Sequence, residues 1–279
     1  PYNYSNFKDG SEYFVKILFL LKKDMPWAKA GYAQMEEQLL VKKAGDKTSL
    51  TSLTTSMAKP KVLGNTDFIT VSGKGFCVKF DNHTGTIYSL EYGGKKVIRD
   101  GEGPKLDTWR APVDNDNWAY RRWFEKGLHN LRHRVTGYTR IATKGQEKNV
   151  IKLMYTVVSQ APNSAVLEGG VSGRYKVKEL SETPFGEDDF KFTSSQIWTV
   201  YPDGSIALQA GITSNDPEMI LARIGYSMQL PSEFEQYTYY GRGPWNNYAD
   251  RCSGSFIEQY QSKVGDLFVS FPKPQSMGN

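Results

Sequence analysis

One short polar segment carries the residue types that could do chemistry in this sequence. Between two tryptophans it places a guanidinium, carboxylates and carboxamides. Planar polar groups of this kind satisfy the paired hydroxyls of a sugar, and an indole face covers the apolar side of the sugar ring. The composition of the segment therefore resembles that of a sugar-binding loop. Its residues are Trp109, Arg110, Ala111, Pro112, Val113, Asp114, Asn115, Asp116, Asn117 and Trp118.

The same segment also has a structural interpretation. Asp and Asn before a helix act as caps and turn formers, because their side chains bond nearby backbone N–H groups. Arg110 would then pair with Asp114 or Asp116 and hold the loop closed. Residue chemistry alone favours this second interpretation without deciding which aspartate is the partner.

A second aromatic segment, 239–251, contains an arginine between Gly241 and Gly243. These two glycines do not make a phosphate-binding loop, because neither the lysine of a P-loop nor the complete dinucleotide-binding motif follows them. The segment is typical of a tight turn. Asp250 beside Arg251 is interpreted as an ion pair that fixes this turn.

Catalytic carboxylates and metal ligands are the next candidates. A glycosidase needs two carboxylates about 5 to 9 Å apart, which Asp114 with Asp116 or the acidic run 187–189 could provide. The acidic run lies in a predicted turn and is interpreted as a solvated loop tip. His129 and His133 have the i, i+4 spacing of metal ligands, but no glutamate lies between them and no third ligand accompanies them. We therefore predict no metal site.

The elements that must position these segments are β-strands. Apolar and polar residues alternate in runs bounded by Gly, Asn, Asp or Pro, which is typical of antiparallel strands joined by turns. A hairpin turn is predicted at 202–204, where glycine supplies a positive φ. The single predicted helix covers 118–131. Strands are predicted at 13–20, 36–41, 67–71, 76–80, 86–90, 150–159, 165–177, 190–201, 205–214, 220–230 and 234–240.

Composition and charge exclude several protein classes. The 279 residues are 39% hydrophobic and 23% charged, which is a globular composition. The net charge of +5 is scattered along the chain, unlike the concentrated charge of nucleic-acid-binding or membrane-surface proteins. No apolar run approaches the roughly 20 residues that span a bilayer. Cys77 and Cys252 lack the paired spacing of a zinc ribbon. We expect neither a nucleic-acid nor a membrane partner.

The sequence predicts three parts. Residues 1–45 hold two strands, too few to close a core, and are interpreted as part of a small sandwich. Residues 46–64 turn to Lys, Thr, Ser and Ala and predict a linker. Residues 65–279 contain the remaining strands and predict a large sandwich. The chain begins with proline and without a signal-peptide pattern, which we interpret as the mark of a piece of a longer polypeptide.

The two polar segments together resemble the C-terminal domain of the large bacterial β-galactosidases of glycoside hydrolase family 2. Residues 274–279 resemble a third motif of that domain, and the residues around Trp27 and Gln38 resemble the end of the immunoglobulin-like domain that precedes it. The resemblance covers nearly the whole chain, in the right order. Its two main motifs supply Trp109, Arg110, Asp114, Asn115, Gly241, Gly243, Pro244, Tyr248, Asp250 and Arg251.

This resemblance implies an all-β fold, a large antiparallel supersandwich similar to galactose mutarotase and preceded by part of an immunoglobulin-like β-sandwich. In the family, the catalytic glutamates lie on a (β/α)8 barrel N-terminal to this region. The resemblance therefore implies no catalytic residue in this chain and no hydrolysis by the chain alone. Its implied partners are the barrel and other domains of the same parent chain, and a terminal β-galactoside such as lactose. An oligomer is also expected.

The resemblance also implies where substrate lies. In such enzymes the C-terminal sandwich helps to wall the sugar pocket near the loop that follows the Asp-Asn-Asp motif. In this sequence that places Asp116, Asn117 and Trp118 closest to substrate, as positioning groups rather than reacting ones. Asn246 and Ser276 depart from the family, which usually has glutamate at both positions.

No cofactor or metal is implied for this chain, because family members that use magnesium or sodium bind it mainly through residues outside this region. The chain ends at Asn279, before the last strands of the family's domain. We therefore expect a truncated sandwich with an unpaired edge and a tendency to associate. The sequence does not decide whether the parent enzyme is located in the bacterial cytoplasm or in the periplasm.

Two other functions fit the sequence less well than the accessory part of a β-galactosidase. The 6 tryptophans and 17 tyrosines, with the loop 109–118, suggest a free-standing carbohydrate-binding module. A mutarotase-like epimerase would need a histidine and a carboxylate as acid and base. However, His83, His129 and His133 all fall where turns or helix ends explain them.

Overall fold

The computed structural model describes residues 7–8, 10–45, 50–169, 175–244, 247 and 252–267, and strands dominate this part of the chain. The all-β prediction is confirmed. The strands are β1 (Tyr13–Leu20), β2 (Ala33–Lys42), β3 (Lys61–Gly64), β4 (Phe68–Gly73), β5 (Phe76–Asp81), β6 (Ile87–Tyr92), β7 (Lys95–Lys96), β8 (Lys105–Asp107), β9 (Arg132–Ile141), β10 (Ile151–Gln160), β11 (Asn163–Gly169), β12 (Tyr175–Pro184), β13 (Phe192–Val200), β14 (Ile206–Ser214), β15 (Gly225–Ser227), β16 (Gln236–Gly243) and β17 (Phe256–Lys263). The helices are α1 (Leu50–Thr54) and α2 (Tyr120–Glu125), with 3-10 turns at Asp114–Asp116, Leu128–Asn130, Gly145–Glu147 and Val264–Leu267.

The chain folds into two compact units. The first comprises Pro1–Ser49 with Tyr239–Tyr260, and the second comprises Leu50–Thr238 with Gln261–Asn279. Within the first unit, β1 pairs with β2 in antiparallel register. The Gln38 side chain joins β2 to β17: its Oε1 accepts the Ile257 N–H at 2.8 Å, and its Nε2 donates to the Ile257 carbonyl at 3.0 Å. The described part of the predicted linker contains α1 and β3, and the division at residues 45 and 64 stays a prediction.

The main core of the second unit lies between two antiparallel sheets. One has the strand order β3-β4-β5-β6-β7 and the other β14-β13-β10-β9. Alternation with a period of two places every second side chain of β5 and β10 in this core. Two polar groups reach across it: Trp198 Nε1 donates to the Gly85 carbonyl at 3.0 Å, and the Tyr155 hydroxyl donates to Asn82 Oδ1 at 3.0 Å. The buried members are Ile69, Val71, Phe76, Val78, Phe80, Ile87, Leu90, Ile98, Ile151, Leu153, Tyr155, Val157, Trp198 and Val200.

A second, smaller core surrounds α2 and supports the loop 109–118. It contains residues of β8, α2 and β13, with the residues just after α2. Burial of this apolar set stabilises the packing by roughly 25 cal/mol for each Å² removed from water. The loop therefore begins and ends on a packed support. The buried members are Leu106, Ala119, Tyr120, Trp123, Leu128, Phe190 and Phe192.

The predicted helix 118–131 is wrong in extent, because α2 covers only Tyr120–Glu125. Gly127 has a φ of 69°, in the left-handed region, and its N–H bonds the Phe124 carbonyl at 2.9 Å. A Cβ at this position would overlap the Ala161 methyl group, so only glycine fits here. The helix therefore ends at Glu125, two residues before this glycine, and a 3-10 turn over Leu128–Asn130 follows.

The predicted turn at 202–204 is confirmed, because β13 pairs with β14 around Gly204, whose φ is 89°. Two predicted strands, in contrast, need correction. The single strand predicted at 165–177 is instead an antiparallel pair, β11 with β12; β11 ends at Gly169, whose φ is 103°. Of the strand predicted at 220–230, only Gly225–Ser227 forms a strand, paired with β8, because residues 221 and 222 pack on the α2 core and Gln229 bonds the backbone of Arg99 and Glu102 outside the strand. Within the described residues, no helix is both long and apolar enough to cross a bilayer.

Candidate functional site: the Arg110–Asp116 loop

One ion pair closes the loop 109–118. Arg110 Nη1 donates to Asp116 Oδ2 at 2.5 Å, and Nη2 donates to Oδ1 at 2.8 Å. Asp116 Oδ2 also accepts the Val113 N–H at 2.8 Å, and Asp116 is only 8% exposed. A two-pronged guanidinium–carboxylate contact is among the strongest charge-assisted arrangements in proteins. The structure therefore identifies Asp116 as a partner of Arg110.

This ion pair sets the direction of the two residues that follow it. Asp114–Asp116 form a 3-10 turn, in which the Asp116 N–H bonds the Val113 carbonyl at 2.9 Å. The Asp116 carbonyl in turn accepts the Ala119 N–H at 2.8 Å, which makes a tight bend at Asn117 and Trp118. Both bend residues are exposed, and Trp118 is 71% exposed. Asp116 thus turns inward, whereas the amide of Asn117 and the indole of Trp118 are accessible to a ligand.

Aromatic rings form the floor of the loop. The Trp109 ring lies 4.9 Å from the Phe124 ring and 5.4 Å from the His129 ring, centroid to centroid. Arg110 Cζ lies 5.7 Å from the centroid of the Trp123 ring, within cation–π range. Trp123 is itself held by a hydrogen bond of 2.8 Å from Nε1 to the carbonyl of Ile220. These contacts hold the Arg110 guanidinium in place beneath the bend.

Asp107 and Arg223 anchor the start of the loop, and sequence reasoning missed both. Asp107 Oδ1 accepts the Trp109 N–H at 2.9 Å, and Oδ2 accepts a hydrogen bond from Arg223 Nη2. The first contact is an Asx turn, which the sequence could have predicted because Asp107 lies two residues before Trp109. The second joins residues 116 positions apart, for which a single sequence offers no local signal.

The glycine turn of the second segment lies in the first unit. Gly241 and Gly243 belong to β16, and Pro244 follows Gly243 through a cis peptide bond. Arg242 Nη1 donates to the Ser255 carbonyl at 2.8 Å and to the carbonyl of residue 252 at 3.2 Å. The arginine thus ties the turn to the residues before β17. The predicted motif positions Tyr248, Asp250 and Arg251, and the end segment 274–279, lie outside the described residues.

Among the residues that the structure describes, His133 and Ser159 are the pair that most resembles a catalytic dyad. His133 Nδ1 lies 2.9 Å from Ser159 Oγ, but Ser159 is only 1% exposed, so no substrate reaches its hydroxyl. Burial, assisted by Lys105, lowers the pKa of His133 to about 4, and the ring is therefore neutral at neutral pH. His133 lies in β9 rather than at the predicted helix end.

The other two histidines occupy structural positions. His83 is exposed in a turn, where Nε2 lies 3.0 Å from Asp67 Oδ1. His129 lies in the 3-10 turn beneath Trp109, and burial lowers its pKa. Across the residues described here, no group of three or more His, Cys, Asp or Glu side chains is arranged to hold a metal ion. The expectation of a metal-free chain stays a prediction.

Comparison with known proteins shows the family of the sequence that forms this loop. Residues 72–279 match the family described as the β-galactosidase small chain. The chain belongs to this family. The match includes the whole Arg110–Asp116 loop and the glycine turn, and it confirms the resemblance drawn from the motifs.

Individual β-galactosidases are similar along most of the chain. The enzyme named β-galactosidase in Halalkalibacterium halodurans is 25% identical over 274 residues, which is 97% of this chain and 24% of that protein. The Streptococcus thermophilus β-galactosidase is 26% identical over 284 residues, or 100% of this chain and 24% of that protein. That of Clostridium acetobutylicum is 28% identical over 238 residues, or 85% of this chain and 22% of that protein. The chain thus spans about a quarter of the length of the curated relatives it matches.

Proposed function

We propose that this chain is the non-catalytic C-terminal part of a β-galactosidase that hydrolyses terminal β-galactosides such as lactose. In this role it helps to wall the sugar pocket and packs against the catalytic barrel and other domains of the same parent chain. The observation that carries the proposal is the exposed Trp118 at the tip of a loop fixed by Arg110 and Asp116, in a chain of the β-galactosidase family.

The loop acts by positioning. Asp116 accepts three N–H hydrogen bonds from Arg110 and Val113, so its carboxylate serves the loop and is not a free base. Asn117 offers a carboxamide that both donates and accepts, and Trp118 offers an indole face. An amide bonded to ring hydroxyls and an indole stacked on the apolar face of a galactoside orient the sugar and exclude water from it. Orientation and water exclusion lower the barrier without a covalent step.

The test is the Trp118→Ala variant of the complete β-galactosidase that carries this chain, assayed with nitrophenyl β-galactoside. We expect KM to rise by up to about tenfold, the equivalent of losing one stacked aromatic contact. Trp27→Ala is the matched control, because Trp27 is 58% exposed and lies in the first unit. Unchanged kinetics in both variants, or equal losses in both, would remove the role assigned to the loop.

A free-standing carbohydrate-binding module is the second candidate, favoured by the same exposure of Trp118. Calorimetric titration of the chain alone with galactose separates the two functions. A dissociation constant of millimolar or tighter, lost in Trp118→Ala, would favour the module. No measurable heat, together with no hydrolysis of nitrophenyl β-galactoside by the chain alone, is the result expected for an accessory part.

A further inference from the structure

A lysine-rich groove crosses the second unit, built from residues that the loop 109–118 does not use. It consists of two pockets of about 520 and 350 Å³, and Lys59 lines both. Its cations are Lys59, Lys61 and Lys74 in the larger pocket and Lys59 and Arg140 in the smaller one. No aspartate or glutamate is present among the described residues that line either pocket.

Lys59 is held at the junction of the two pockets by its neighbours. Asn149 Nδ2 donates to the carbonyls of Thr55 and Met57, both at 2.8 Å, and so pins the backbone just before Lys59. Lys59 Nζ lies 3.5 Å from Thr143 Oγ1, a lining residue of the smaller pocket. The ammonium group is therefore placed where one ligand could reach it from both sides.

The backbone also fixes the other two lysines. Lys61 stands opposite Ser72 in the β3–β4 register, and both line the larger pocket. Lys74 occupies the tight turn between β4 and β5, where Gly75 has a φ of 80° and its carbonyl accepts the Gly93 N–H at 2.8 Å. The turn thus holds Lys74 at the edge of the pocket that Lys61 lines.

Carboxylates that lie close to this groove in the sequence have partners outside it. Asp203, next to the lining residue Pro202, accepts the N–H and the hydroxyl of Ser205 at 2.9 and 3.0 Å. Glu147 pairs with Lys152 at 2.7 Å. Glu91 lies in the same cross-strand row as Lys61 but three strands away, about 14 Å by strand spacing.

That separation exceeds the Debye length of about 8 Å at physiological ionic strength. Salt therefore screens most of the interaction between Glu91 and Lys61. Several cations around one concavity create a positive potential that attracts anions. The groove therefore has the electrostatics of an anion site whose counter-charge comes from a ligand.

We propose that this groove binds a ligand that carries linked phosphate groups. The three lysines supply point charges for one phosphate in the larger pocket, and Arg140 supplies a planar fork for a second phosphate in the smaller one. Lys59, shared by both pockets, contacts the bridging region. This site is independent of the proposed role in galactoside hydrolysis, and its test does not depend on that role.

Isothermal titration of the complete chain with sodium tripolyphosphate, at about 150 mM salt, tests the site. We expect saturable binding of one tripolyphosphate per chain and at least tenfold weaker binding of orthophosphate. The Lys59→Gln/Lys61→Gln/Lys74→Gln variant should bind tripolyphosphate at least tenfold more weakly. The control Lys22→Gln/Lys23→Gln/Lys126→Gln removes the same net charge elsewhere and should stay within twofold.

Chemical acetylation of lysines, measured by mass spectrometry, gives a second test that needs no substituted variant. Tripolyphosphate should protect Lys59, Lys61 and Lys74 from acetylation and leave Lys22 and Lys126 reactive. The proposal is overturned if binding is not saturable, if orthophosphate binds as tightly as tripolyphosphate, if both triple variants weaken binding equally, or if protection is uniform over all five lysines.

Discussion

The Arg110–Asp116 ion pair makes a sharp prediction about the stability of the second unit. In the Asp116→Ala variant, the Arg110 guanidinium loses both carboxylate contacts, and the Val113 N–H loses its acceptor. The side chain of Asp116 is 11% exposed and that of Arg110 is 21% exposed, so water replaces these contacts poorly. The truncation therefore leaves the Arg110 guanidinium without a counter-charge, with only the Ala111 carbonyl and the Trp123 ring as partners, and it leaves the Val113 N–H without an acceptor.

We expect this truncation to lower the free energy of unfolding by about 3 kcal/mol, the lower end of the range for breaking a buried ion pair. The lower end applies because the partial exposure of Arg110 lets some water reach its guanidinium. Glu125→Gln is the control: Glu125 pairs with Arg121 on the surface of α2 at 2.7 Å, with side chains 41% and 58% exposed. An exposed helix pair of this kind contributes about 0.3 to 0.5 kcal/mol.

Urea unfolding followed by tryptophan fluorescence measures both variants. The double variant Arg110→Met/Asp116→Leu should recover part of the lost stability, because it removes the unpaired charge and fills the space with apolar atoms. If Asp116→Ala costs no more than Glu125→Gln, or if the double variant is less stable than the single one, the ion pair does not hold the loop as we argue.

Two further predictions concern the core of the second unit. Burial lowers the pKa of His133 to about 4 from 6.5, so the unfolded chain takes up the proton first. The free energy of unfolding should therefore fall as pH drops from about 6.5 to 4. The His133→Gln variant should lose much of this dependence on pH. An unchanged dependence in the variant would contradict the lowered pKa of His133. In Gly103→Ala the new methyl group would overlap the Ile87 carbonyl, so this variant should lower the free energy of unfolding by about 3 kcal/mol. Gly211→Ala is the control: it has open space around its Cβ and should lower the free energy of unfolding by less than about 0.5 kcal/mol. Equal urea midpoints for the two variants would contradict this prediction.

Local patterns predicted most of the strands in this fold. Strand β10 at Ile151–Gln160 and the β13–β14 turn follow from alternation with a period of two and from a glycine that provides a positive φ. Predictions were wrong where tertiary contacts override the pattern. The helix 118–131 has a continuous apolar face in sequence, but close packing of Gly127 on Ala161 ends it early.

The site could be predicted only in part, for a similar reason. The residue types of the loop 109–118 indicated both a sugar contact and an internal ion pair, because carboxylates and guanidinium groups serve either purpose. The bidentate geometry shows that Asp116 has the internal role and leaves Asn117 and Trp118 accessible. The Arg223–Asp107 contact and the lysine groove join residues far apart in sequence, which no local spacing predicts.

Immunodepletion distinguishes a chain that is part of a β-galactosidase from one that is not. Antibody raised against this chain is used to deplete an extract of its source cells, and the hydrolysis of nitrophenyl β-galactoside is measured before and after depletion. If the chain is the accessory part of a β-galactosidase, the activity should leave the extract with the antibody and be recovered on the beads. If the chain is depleted completely while the β-galactosidase activity stays in the supernatant, the chain is not part of the enzyme that hydrolyses the β-galactoside.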